Sequence, residues 1–266
     1  MQKLKLLLAS IISILILNSC DRPAIFYGEK EITVEGENTI SNTLIISPGT
    51  KVYFMTIKTF SLISWSRQKG KLTIKNGGKI LAQGTKGEPI IFETDSMGFG
   101  SSNIEFSSNA SDDSILEYCK FNNRMKVNIS NSMTIQYCKF DMADSIEIKG
   151  GSNSKIKYNF LNGTGIGCLD NSTPLISFNI ITDISKTGGV GIYIGSESLP
   201  NIEKNNIINR TAEAIYYVGT NSYTVTANYI ENCNNKTGID TIGGQSHNIT
   251  YVNPRNSPVT EAGCGW

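Results

Sequence analysis

Ile156-Lys-Tyr-Asn159-Phe-Leu161, Ile176-Ser-Phe-Asn179-Ile-Ile181, Ile202-Glu-Lys-Asn205-Asn-Ile207 and Val225-Thr-Ala-Asn228-Tyr-Ile230 are copies of one hexad. Two earlier copies, Leu116-Glu-Tyr-Cys119-Lys-Phe121 and Ile135-Gln-Tyr-Cys138-Lys-Phe140, carry cysteine where the others carry asparagine. Counted at that fourth position, the steps are 19, 21, 20, 26 and 23 residues. Such a period is too long for a heptad and too short for an independent domain, and it is the length of a stacked repeat. Aliphatic and polar residues alternate with period two inside each copy, which predicts strands.

A second short strand precedes each hexad: Ile104-Glu-Phe106, Val127-Asn-Ile129, Ile146-Glu-Ile148, Ile166-Gly-Cys168, Ile192-Tyr-Ile194 and Ile215-Tyr-Tyr217, with a candidate seventh beginning at Ile239-Asp240. Gly, Asn, Ser and Thr fill the gaps, as turns require. Two or three short parallel strands per turn predict an all-β parallel β-helix, whose rungs stack about 4.8 Å apart and rely on their neighbours for burial. Asn tolerates left-handed backbone and hydrogen-bonds nearby main chain. Asn159, Asn179, Asn205 and Asn228, placed at one corner of successive rungs, are therefore expected to form a ladder of stacked amides, with Cys119 and Cys138 at the equivalent positions of earlier rungs. On these repeats the chain resembles the right-handed parallel β-helix proteins, the fold of pectate lyases and many bacterial surface proteins, over roughly residues 31 to 253. The resemblance implies a fold and leaves the activity open, because folds host many functions.

The remaining chain was divided by composition. Lys3 and Lys5 precede an apolar run from Leu6 to Leu17, the order of a secretory signal. Leu17-Asn18-Ser19-Cys20 resembles a bacterial lipobox, which implies a signal peptide over 1–19, acylation of Cys20 and a membrane anchor. Residues 20–38 are expected to be the lipidated cysteine and a tether, and 39–266 the right-handed coil with short terminal caps. An exported lipoprotein of the cell envelope follows, at the outer membrane or cell surface. Asp21 also resembles a signal that retains some lipoproteins at the inner membrane, so both destinations stay open. The segment 56–71, with Phe60, Leu62, Ile63 and Trp65 among basic residues, is expected to flank or cap the coil. Residues 254–266 leave the repeat, and Val259 and Trp266 are expected to form a lid on the last rung.

A formal net charge of +1 without a basic run argues against nucleic acid as a partner. Cys119 and Cys138 fall at a spacing that permits a disulfide, yet a stacked pair of buried thiols is the expected state. One histidine and no paired-cysteine spacing give no metal site, and no cofactor is implied.

Outward positions of the two strand ladders are where chemistry would sit. One runs Glu105, Asn128, Glu147, Gly167, Tyr193, Tyr216 and then Asp240; the other runs Glu117, Gln136, Lys157, Ser177, Glu203, Thr226 and Thr250. Glu105 and Glu147, two rungs or about 9.6 Å apart, are weak catalytic candidates as an inverting pair, with Lys157 as a candidate base. No dense acidic cluster accompanies them. Tyr193 and Tyr216 are the stronger candidates, as a flat aromatic platform for sugar rings, with Asp240 adding a polar contact. Two functions from different classes result. The favoured one is a lipid-anchored scaffold that binds a polysaccharide or a surface protein. The alternative is a polysaccharide lyase or glycoside hydrolase working on the outer face.

Overall fold

The computed structural model describes residues 24–26, 30–60, 65–95, 101–183, 189–218, 223–233, 242–244 and 249–265. Cys20, Asp240 and Trp266 lie outside them. The described residues form three long parallel sheets of ten, nine and nine strands and one antiparallel hairpin. One rung shows the plan: Ile115–Glu117 lies in the first sheet, Cys119–Asn122 in the second and Met125–Ile129 in the third. The next rung repeats it with Thr134–Gln136, Lys139–Asp141 and Ser145–Ile148. Strands pair with the rung before and the rung after, so the chain is a solenoid whose unpaired edges fall at its two ends.

Period-two alternation sends one set of side chains inward on each sheet. In the first sheet Leu116, Ile135, Ile156, Ile176 and Ile202 are in register. Phe92, Phe121, Phe140, Leu161, Ile181 and Ile207 match them in the second, and Ile104, Val127, Ile146, Ile166, Ile192 and Ile215 in the third. These residues are fully or almost fully buried. Each contributes about 1.5–3 kcal/mol of burial. Phe92, Phe121 and Phe140 also stack, with centroids 4.9 and 4.4 Å apart.

The corner between the first and second sheets is the hexad itself. Its third residue takes the left-handed conformation in every copy: φ is 48° at Tyr118, 53° at Tyr137, 59° at Tyr158, 56° at Phe178, 55° at Lys204 and 54° at Ala227. The strained residue is thus the one before the asparagine, and the asparagine acts through its side chain. Asn159 Nδ2 donates to Asn179 Oδ1 at 3.0 Å, Asn179 Nδ2 to Asn205 Oδ1 at 3.0 Å, and Asn205 Nδ2 to Asn228 Oδ1 at 2.9 Å. Each Oδ1 also accepts the backbone N–H of the preceding rung's fourth residue. Cys138 enters the same ladder by donating its N–H to Asn159 Oδ1 at 2.9 Å. Cys119 donates its N–H to the Cys138 sulfur at 3.4 Å, and the two buried thiols are not bridged. The left-handed corner costs roughly 1–2 kcal/mol per residue; the satisfied amide ladder offsets it.

Outside this corner the third residues stack as well. Tyr118, Tyr137, Tyr158 and Phe178 form a column with centroids 5.1, 5.1 and 4.9 Å apart. Lys204 continues it, with Nζ 5.2 Å from the Phe178 ring centroid, a cation over an aromatic face.

Three stretches differ from the expected division. The 20–38 segment is not only a tether, because Ala24–Phe26 pairs with Thr43–Ile46 and Glu31–Glu35 with Lys51–Met55. Its glutamates occupy the outward positions of a strand whose Ile32 and Val34 are buried. The 56–71 interruption is an antiparallel hairpin, Ile57–Phe60 with Trp65–Gln68. Asp95 anchors its base, accepting from Thr56 Oγ1 at 2.6 Å and pairing with Lys69 at 3.1 Å. The C-terminal tail does not lie over the last rung. Val259 is buried, and its N–H and C=O pair with the Asn206 side-chain amide at 2.7 and 3.0 Å. Arg255 N–H donates to Asn228 O and Gly263 N–H to Phe178 O, so the tail runs back along the flank across successive rungs.

Candidate functional site

The outward ladder of the third sheet brings Glu105, Asn128, Glu147, Gly167, Tyr193 and Tyr216 into one row. Gly243 stands next to Tyr216 in that register, where the sequence spacing had suggested Asp240. On the first sheet Lys157 lies between Gln136 and Ser177. The corner at 149–154 carries the chain from the third sheet to the first, so Lys157 is not beside Glu147 despite their nearness in sequence. In the same sheet Val252, not Thr250, is in register with Thr226.

The lysines that meet the carboxylates are others. Glu105 pairs with Lys71 at 2.6 Å; Glu147 pairs with Lys126 at 2.5 Å and with Lys149 at 2.8 Å. Partial burial would raise the Glu147 pKa, but hydrogen bonds and charge from Lys126 and Lys149 outweigh it and hold the carboxyl below its ordinary value. A general acid in glycoside hydrolysis needs the opposite shift. Glu147 is built to stay ionised.

Tyr193 and Tyr216 stack on one another, with centroids 5.9 Å apart and planes 17° apart. They do not lie side by side as a flat platform. Tyr216 covers one face of Tyr193, and the other face looks along the coil axis towards the rung of Gly165–Cys168. Both outward positions of that strand, Gly165 and Gly167, lack side chains, and a cleft of about 400 Å³ opens over them. Such a volume lies in the range of small-molecule sites. Asp144, Ser145 and Glu147 form one wall; Gly189, Val190 and Tyr193 form the other.

Arg210 lies at the margin of the cleft and is 1% exposed. Its guanidinium donates to the carbonyls of Thr164, Thr182, Gly189 and Val190 at 2.8–3.4 Å. Burial pushes its pKa down and the charge of nearby Asp183 pushes it back. The residue fixes the cleft wall by satisfying four backbone acceptors from three successive rungs. No sequence signal marked it, since an isolated Arg in a loop reads as solvated. Among the described residues no group of three His, Cys, Asp or Glu is placed to hold a metal ion.

A family model described as a right-handed β-helix region matches residues 109–255, more than half of the chain. The chain belongs to the right-handed β-helix family. The match covers the hexads, the amide ladder and the whole cleft region. Searches of curated proteins and of solved structures returned no match. Membership in the β-helix family fixes the fold and its handedness and carries no particular ligand.

Proposed function

We propose that this β-helix protein is a lipid-anchored scaffold of the bacterial cell envelope that binds a glycan or protein partner through the outer face of its third sheet. The open face of Tyr193 above the cleft carries the reading. An aromatic face bordered by polar side chains suits ligands that are apolar on one side and hydroxylated on the edge. The lipobox-like Leu17-Asn18-Ser19-Cys20 supports the anchor. A rigid coil held by a membrane lipid at its N-terminal end presents its long faces to the surroundings.

Two measurements test this. Cys20→Ala is expected to move the protein from the membrane fraction to the soluble one; unchanged membrane retention removes the anchor. The soluble variant, incubated with acidic and neutral polysaccharides, is expected to co-elute with one of them on size-exclusion chromatography without shortening it. Shortened polymer would make the protein an enzyme. Failure to co-elute with any would turn the search to protein partners.

A further inference from the structure

We infer that the cleft over Gly165 and Gly167 takes the ring of an uncharged sugar, seated against Tyr193 where the row of outward side chains is interrupted. This rests on the glycan reading above and names the ligand class and its pose. Three observations converge. The first is the cleft itself, of about 400 Å³. The second is the geometry of the tyrosine stack. Outward side chains in this row succeed one another every rung, about 4.8 Å apart, and Tyr193 already stacks on Tyr216. A ring inserted at the Gly167 rung continues that stack by one step, with Glu147 on its far side.

The third observation is the charge balance of the polar wall. Glu147 and Asp144 stand with Lys126 and Lys149, two carboxylates against two ammonium groups. Both lysines are engaged by Glu147, and Asp144 accepts from Ser101 Oγ at 2.7 Å. An anionic sugar would have to break an existing ion pair to gain one. A cationic sugar would displace a lysine. Hydroxyl groups do neither, because a carboxylate has lone pairs left after two ion contacts and accepts further hydrogen bonds. The site therefore favours neutral hexopyranose units over uronates and amino sugars. The ring plane follows the Tyr193 ring, so a bound chain runs along the strand and across the coil axis.

Gly167 decides whether the slot is open. A Cβ there would meet Glu147 Cγ at 3.7 Å, an ordinary contact, and the backbone has no positive φ. Gly167→Ala is tolerated, while Gly167→Phe supplies from within the ring that the ligand supplies from outside.

The test is calorimetric titration of the full chain carrying Cys20→Ala with neutral gluco-, manno- and galacto-oligosaccharides, alongside oligogalacturonate and chitosan oligomers. Binding of a neutral oligomer is expected. Tyr193→Ala should weaken it about five- to tenfold, Gly167→Phe should abolish it, and Gly167→Ala should change it less than Tyr193→Ala does, all with native-like melting. Neutral binding that survives Gly167→Phe in a folded protein overturns the slot and leaves the glycan reading intact. Preference for the uronate or chitosan oligomers overturns the ligand class. No binding to any oligomer overturns both the slot and the reading on which it rests.

Discussion

The two corners that flank the second sheet behave oppositely. The corner between the first and second sheets is identical from rung to rung: a left-handed third residue, an inward Asn or Cys, and a column of rings outside. The corner between the second and third sheets changes at each step, covering 142–144, 163–164, 183–191 and 209–214 between consecutive strands. The first is fixed by hydrogen bonds that each rung passes to the next. The second is free to vary because its backbone is satisfied case by case, as Arg210 does for the rung around Gly189. Repetition stabilises one side of the coil and variation shapes a cleft on the other, the usual division between scaffold and loop.

The largest effect expected from breaking this contrast is at the constant corner. Asn179→Ala removes an acceptor for two donors of Asn159 and a donor to Ile156, Ser177 and Asn205. Buried partners are left unsatisfied, and a loss of about 2–4 kcal/mol in denaturant unfolding is expected. The cleft lies on another sheet, so ligand binding by the folded fraction should be unchanged.

At the variable corner, Arg210→Met strands the carbonyls of Thr164, Thr182, Gly189 and Val190. A loss of about 2–3 kcal/mol is expected, this time with weakened binding, since Gly189 and Val190 form a cleft wall. A variant that loses stability with unaltered affinity would show that the wall does not depend on Arg210.

The outer column offers a milder test. Tyr158→Ala removes stacked contacts with Tyr137 and Phe178, and about 1–2 kcal/mol should go. Stability unchanged by this substitution would make the column incidental to the corner.

The smallest effect is a pH dependence. Glu147 and Asp95 both have folded-state pKa values below their ordinary values of 4.5 and 3.8. In each, burial opposes the shift and is outweighed, at Glu147 by Lys126 and Lys149, and at Asp95 by hydrogen bonds from Thr56 and by Lys69. A depressed folded pKa means stabilisation that is complete above the unfolded value and lost as pH falls through the folded one. Melting temperature should therefore decline below about pH 4.5, and Glu147→Gln should make that decline shallower.

Much of the fold was legible because the hexads state both strand and corner. Ile156, Ile176 and Ile202 mark one inward row, and the asparagines mark the bend. The outward row from Glu105 to Tyr216 followed from counting in twos. The count failed at Asp240, where the step to the next rung lengthens and Gly243 holds the register position. It failed again at Thr250, displaced by Val252. The tether reading failed because Glu31 and Glu35 were weighed as charges, when their alternation with Ile32 and Val34 was the strand signal. The column of rings had a signal too, an aromatic third residue in four consecutive hexads. The cleft had none that alternation could supply. It depends on which face of Tyr193 its neighbour covers, and that is settled by packing between rungs that are distant in sequence.

The C-terminal tail changes how the coil comes apart. A bare solenoid loses its end rungs one at a time, because each touches only its neighbours. Here the segment from Arg255 to Gly263 is fastened to Asn228, Asn206 and Phe178 in turn, so it ties rungs that do not touch one another. It works as a splint: the end of the coil cannot fray rung by rung without first releasing the tail. Amide hydrogens from residues 176–230 are therefore expected to exchange together, as one cooperative unit.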